Sequence, residues 1–334
     1  MYTDENLSSA VKAGILSDDA ASKFRAFVSN EQGMVAVDEE HFRLVTGFND
    51  IFVVIACGLL LASIAWIGND IYKGLGLLGV AIASWGLSEF FVLKRKMALP
   101  AIALLLSFIF GISWFAAELF IAQSTNGSLS FLAAGCTGLV ASYLHWLRFR
   151  VPITVAAGLA VVIGSLIAMV VIQFPKIESW SLLMIFIGGL LSFAIAMHWD
   201  IQDTKRLTRK SDVAFWLHLL AAPMIVHPVF SILGVFEGKN SIPMALSVIG
   251  LYIVLAGISI AIDRRALMVS ALVYVLYSFS ALLKTFGIVS LGFSITGLAI
   301  GSALLLLSAF WHTSRSHLLG WSPNCLLRWL PPLK

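Results

Sequence analysis

Residues 91–122 read FVLKRKMALPAIALLLSFIFGISWFAAELFIA. Three cations, Lys94, Arg95 and Lys96, stand before a run from Ala98 to Ala122 whose only ionisable side chain is Glu118. At 1.5 Å per residue such a run reaches across the roughly 30 Å hydrocarbon layer of a bilayer. It shows no strand-period alternation, which argues against an outer-membrane barrel. A helix satisfies its own backbone groups in lipid, so the run reads as a transmembrane helix entered from a basic turn.

The same unit recurs along the chain. Apolar runs cover about Ile51–Gly68, Gly74–Leu93, Ala98–Ala122, Ser130–Leu147, Ile153–Phe174, Ser181–His198, Val213–Val235, Ile242–Ile262, Ala266–Phe286 and Ile288–Phe310. Basic residues fall in every second connection: Lys94–Lys96, Arg148 and Arg150, Lys205 to Lys210, Arg264 and Arg265, and Arg315 with Arg328 and Lys334. The intervening connections hold only Lys73, Lys176 and Lys239, with Lys284 near a span end. Positive charge is retained on the cytoplasmic side of a membrane. The expected fold is therefore an all-α polytopic bundle of about ten spans with both termini cytoplasmic. The chain has 334 residues, 59% hydrophobic and 12% charged, with a mean hydropathy of +0.94. A soluble domain of this size could not cover so much apolar surface. The net charge of +4 then reads as an orientation signal and not as a nucleic-acid footprint.

Three segments follow: residues 1–50 as a cytoplasmic or interfacial helical unit, 51–310 as the bundle, and 311–334 as an interfacial tail. In the first, Thr3 or Asp4 starts a helix ending at Gly14, and Ser17 caps a second, with Asp18 and Asp19 at its positive end. Ala20, Phe24, Phe27 and Val28 give that helix an apolar stripe for the bundle, a protein partner or a second copy. Gly33–Asp38 reads as a linker, and Asp38 begins a third helix through Phe42 and Val45. In the tail Trp311, Trp321 and Trp329 prefer the headgroup region. Small-residue steps at Gly297/Gly301, Ala134/Gly138 and Gly79/Ala83 mark helix-packing faces.

Ionisable groups inside a bilayer are costly and mark candidate sites. Glu118 has no basic neighbour in its own run and is a candidate proton carrier or cation ligand. Glu89 lies one turn from Lys94, Arg95 and Lys96, which are in reach to screen it. The seventh run carries His218 and His227 with Pro223 and Pro228. Each proline removes a backbone donor, so a kinked helix that lines a path is expected. The two histidines are about 13 Å apart along the axis and on opposite faces, so they share no metal by themselves. His145 and His218 form the one visible pair for a haem. Asp50, Asp212, Asp263 and His198 read as span-end anchors near water. The cysteines Cys57, Cys136 and Cys325 form no metal spacing, and no HExxH, GxSxG or phosphate-loop pattern occurs.

The pattern Leu7, Ala10, Val11, Gly14, Ile15, Leu16, then Ala20 and Phe24, followed by a polytopic region, resembles bacterial membrane proteins of unknown function of the DUF2157 type. That resemblance implies a bacterial inner-membrane location and supplies no site residues. Ten spans with both ends inside also look like drug/metabolite transporters, built from two inverted five-span halves. The expectation is a small-solute or proton-coupled transporter using Glu118, His218, His227 and Glu89. It needs no cofactor and no metal, is not an enzyme, and has lipid, a small molecule or protons as partners. The alternatives are a scaffold or sensor acting through its N-terminal helices, and a haem or quinone protein.

Overall fold

The computed structural model describes residues 4–31, 48–123, 127–204, 206, 208–234, 242–285, 292–320 and 330. The linker at Gly33–Asp38, the helix expected from Asp38, Lys239, and the tail at 321–329 and 331–334 lie outside them. So do the side chains of Phe27, Val28 and Lys284. Every regular element among the described residues is helical. The chain divides into two compact units, Met1–Phe42 and Arg43–Lys334.

The first unit holds α1 (Asp4–Lys12) and α2 (Asp18–Glu31). Gly14, at φ 72°, closes α1: its N–H bonds Val11 O and that of Ile15 bonds Ala10 O. Ser17 Oγ accepts from the Ala20 N–H at 3.1 Å and so caps α2. Leu7 and Ala21 are buried, while Ile15 is 77% and Phe24 43% exposed.

The second unit holds α3 (Phe48–Ile71), α4 (Leu75–Ser88), α5 (Ala98–Gln123), α6 (Gly127–Phe149), α7 (Ile153–Gln173) and α8 (Ser181–Ile201). After these come α9 (Arg209–Ile232), α10 (Ile242–Ile262), α11 (Ala266–Thr285), α12 (Gly292–Ala309) and α13 (Trp311–Gly320). A π turn, Glu89–Lys94, prolongs α4, and a 3-10 turn, Pro175–Trp180, precedes α8. Seven helices, α3 to α9, are long and apolar enough to cross a bilayer within the described residues. With α10, α11 and α12 they occupy the ten positions expected from the sequence. Consecutive helices from α3 to α9 pack on one another, as short connections require. Beyond that meander, α9 packs on α7 and α11.

That placement explains the composition of α9. Val213, Ala214, Leu217, Ala221, Ala222, Val226 and Phe230 are all fully buried, a stripe at three- and four-residue spacing. The helix runs unbroken through Pro223 and Pro228. Its C-terminal half joins Val248, Leu255, Leu267 and Ala271 in a core shared with α10 and α11, and Leu330 packs against the same core.

Close helix approach rests on Gly68 and Gly76, which stand outside the expected small-residue steps, and on Gly138, which belongs to one of them. A β-carbon on Gly76 would overlap the Ala65 carbonyl, and one on Gly68 would fall 2.5 Å from Gly76 Cα. The α3–α4 crossing is therefore backbone against backbone. On α6, a β-carbon at Gly138 would meet Ser113 Oγ and Val161 Cγ1, each at 2.5 Å. By contrast, a β-carbon on Gly297 or Gly301 would meet nothing within 4 Å, so this step packs against none of the described helices.

The tight turns differ by type. Lys96, Arg150, Arg206 and Asp263 follow α4, α6, α8 and α10, and all four are left-handed, with φ between 53° and 58°. The turn after α3 and the one after α9 use Gly74 and Gly234 instead. A side chain in this conformation costs about 1–2 kcal/mol, so charge is kept at these four turns against backbone strain. Lys96, which is exposed, is expected to raise the apparent melting temperature when changed to glycine. Asp263→Gly gains the same relief and should still destabilise, because Asp263 carries buried partners described below. Thermal unfolding of the two variants in one detergent checks both signs.

Candidate functional site

The densest polar chemistry lies where α8, α9, α10, α11 and α13 end or begin. Asp200, on the last turn of α8, is 4% exposed. Arg264 of the α10–α11 turn bonds it as a fork, NH2 to Oδ1 at 2.5 Å and Nε to Oδ2 at 3.3 Å. The same guanidinium donates to Ser211 O and Oγ, both at 3.1 Å. His218 of α9 places Nε2 2.9 Å from Asp200 Oδ2, which fixes the proton on Nε2. Its Nδ1 has no hydrogen-bond partner among the described residues.

Next to it, Asp263 Oδ1 accepts from Trp311 Nε1 at 2.8 Å, and Oδ2 lies 3.2 Å from Arg206 and 3.6 Å from Arg315. Arg206 also donates to the carbonyls of Ile262 and Asp263. The Ser259 hydroxyl donates to the Arg264 carbonyl. The Arg264 N–H donates to the Ser259 carbonyl and the Asp263 N–H to the Ile260 carbonyl, which closes α10 as a Schellman turn and sends the two side chains to different partners. Asp203 accepts from Thr208 at the head of α9, through N–H and hydroxyl, at 2.8 and 2.7 Å. Two carboxylates thus face three guanidiniums, Asp200 with Arg264 and Asp263 with Arg206 and Arg315. Arg264, Arg315 and Trp311 are at most 2% exposed. This group clamps helix ends together. Asp263, expected as a water-exposed anchor, is 4% exposed inside it, and the tail expected to lie on the membrane contributes Trp311, Arg315 and Leu319 to the packed interior.

The sequence-derived candidates do not converge. Glu118 lies 3.0 Å from Lys73, a residue of the α3–α4 turn that is 75% exposed. The cation absent from its own run is therefore supplied from another connection. Glu89 is held by a fork from Arg148 of α6 at 2.8 and 2.7 Å, and not by Lys94, Arg95 or Lys96. His227 Nδ1 meets the Tyr274 hydroxyl at 2.8 Å. His145 is fully buried among Trp85, Phe108 and Phe149, whereas His218 packs against Phe193 and Asp200. The two histidines have separate surroundings and do not form the facing pair a haem needs. No group of three or more His, Cys, Asp or Glu side chains is placed to hold a metal among the described residues.

A cavity of about 750 Å³ opens between α5, α6 and α7. Phe110, Trp114, Phe131, Ala134, Ala160 and Val161 are among its walls, with Ser107, Ser113, Ser130 and Ser165 supplying its hydroxyls. Neither a carboxylate nor a histidine lines it. Two smaller grooves, about 250 and 300 Å³ along α3, α4 and α5, have no hydroxyl or charged side chain in their walls. Serines in apolar runs are unremarkable one at a time, and nothing in the linear order signals that four of them meet. No family model matches this chain, and no curated protein or solved structure matches it.

Proposed function

We propose that this helical membrane protein is a carrier for a small, mainly apolar molecule that it takes from the hydrocarbon layer. The observation that supports this reading is the α5–α7 cavity, whose volume falls in the range of small-molecule sites and whose walls are apolar with four hydroxyls. A charged solute in such a chamber would lose its hydration without a partner. The reading therefore moves away from proton or ion coupling through Glu118, His218 and His227. Each of those is engaged elsewhere. In this proposal the basic turns face the cytoplasm, and the clamp at Asp200 and Asp263 holds that end of the bundle closed.

Nile red, a neutral dye that brightens in apolar surroundings, tests the reading on purified protein. Wild type is expected to bind it saturably, and filling the chamber by Ala134→Phe with Ala160→Phe is expected to weaken binding at least about tenfold, the effect of some 1.4 kcal/mol. Equal binding by the filled variant with an unchanged melting temperature sinks the proposal. Glu118→Gln is expected to leave dye binding unchanged, because its carboxylate faces Lys73 and not the chamber.

The exposed apolar residues Ile15, Leu16 and Phe24 of the first unit favour a second reading, in which that unit scaffolds a partner. Removing residues 1–42 separates the two: the carrier keeps dye binding, and a scaffold loses its partner.

A further inference from the structure

Serine and threonine in a membrane helix usually return their proton to the carbonyl four residues back. Ser63, Ser88, Ser107, Thr137, Ser142, Ser192 and Ser247 all do so here. Ser113 and Ser130 depart from that habit. They are 8% and 1% exposed, and neither hydroxyl has a hydrogen-bond partner among the described residues. Of the three serines in that condition, the third being Ser84, these two border the same cavity. An unmet buried hydroxyl is a standing cost, and it is removed when a ligand supplies the missing partner.

The two hydroxyls stand at different depths. Ser130 is in the first turn of α6, and Ser113 is ten residues before the end of α5, the end joined to α6. At 1.5 Å per residue their levels differ by roughly 10 Å. Gly138 makes the deeper position possible, since any side chain there would occupy the space of the Ser113 hydroxyl. Between the two levels stand the apolar Phe110, Ala117, Ala134 and Phe131, the Trp114 indole, and Ser165, whose hydroxyl is turned toward Gly135 of α6. No cation lines the chamber to hold a carboxylate or phosphate, and no carboxylate lines it to hold an amine.

We infer that the cavity binds a neutral, elongated, lipid-soluble molecule carrying an uncharged hydrogen-bonding group near each end, one met by Ser130 and the other by Ser113. This inference rests on the carrier reading above and adds the class of molecule. Hydroxyl or carbonyl groups suit the site, because a serine hydroxyl both donates and accepts. Free fatty acids, intact phospholipid headgroups and alkylamines do not suit it.

Displacement of bound Nile red tests the assignment. Saturated terminal diols of increasing chain length are compared with the monoalcohol and the carboxylate of each length. A diol whose oxygens lie roughly 10 Å apart is expected to displace the dye at about tenfold lower concentration than its monoalcohol, as one further hydrogen bond allows. Carboxylates should show no such gain. Ser113→Ala and Ser130→Ala should each abolish the diol advantage, read within each variant as the ratio of diol to monoalcohol displacement. Without ligand, each variant should melt no lower than wild type, since it removes an unmet hydroxyl; this separates lost recognition from lost folding. Dye that fails to bind wild type, or binds the filled variant equally, overturns the carrier reading and this inference together. Dye that binds and is lost on filling, with diols no better than monoalcohols or with the advantage intact in both serine variants, overturns the hydroxyl assignment alone. Carboxylates that displace as well as diols overturn it too.

Discussion

Asp200→Ala is expected to lower the apparent melting temperature in detergent by far more than the loss of an exposed charge. The substitution leaves Arg264, 2% exposed, without its carboxylate and leaves His218 without the acceptor that fixes its ring. An orphaned buried charge costs about 3–5 kcal/mol, which corresponds to a fall of about 10 °C. Arg264→Ala should cost a similar amount, because Asp200 is then the unpaired ion. The two losses should not add. Replacing both residues, as Asp200→Leu with Arg264→Met, removes both desolvated ions and should recover most of the stability, since a well-packed apolar pair is as good as a buried ion pair. A full double-mutant cycle reads the coupling directly. Two additive losses, each below about 1 kcal/mol, would mean that water reaches this end of the bundle and that the clamp is a surface feature.

The second large effect is steric. Gly76→Ala should separate α3 from α4, because the new methyl would overlap the Ala65 carbonyl, a main-chain group that no rotamer change can move aside. Overpacking of this kind costs about 1–3 kcal/mol, and more where the obstacle is main chain. Gly297→Ala and Gly301→Ala are the matched controls. Both positions are open, so the methyl meets nothing, and alanine's better helix propensity favours it by up to about 1 kcal/mol. The three variants should therefore split in sign when melted side by side. Loss of stability at Gly301 equal to that at Gly76 would show a packed face on α12 that the described helices do not supply.

Most helix boundaries were legible in the linear order. Ile242–Ile262 matches the expected run at both ends, and Ala98–Gln123 and Ile153–Gln173 match within a residue of one end. Hydrophobic length alone sets these limits, because lipid forces each crossing to be a continuous helix. The Ser17 cap and the Gly14 stop were legible for a similar reason: both are local hydrogen-bonding arrangements. Partners were not legible. Glu118 was read as alone because its own run holds no cation, and Lys73 comes from a connection 45 residues earlier. Glu89 stands beside three cations in sequence and binds a fourth from another helix. Gly297 and Gly301 have the spacing of a packing step and face open space, while Gly76, with no such signature, bears the closest contact.

The order of apolar runs and basic turns by itself determined that this chain is a helical membrane protein and where along the chain its long helices lie. Those properties depend on hydrophobicity summed along a segment and on hydrogen bonds between residues a few places apart. Which carboxylate meets which guanidinium, which glycine faces a neighbour, and which serines are left with idle hydroxyls around one chamber were decided only by the tertiary structure. Each depends on how a helix is rotated about its axis toward residues far away in the chain. Lipid is as apolar as most of these side chains, so it leaves that rotation to packing and to the few polar groups that must find one another.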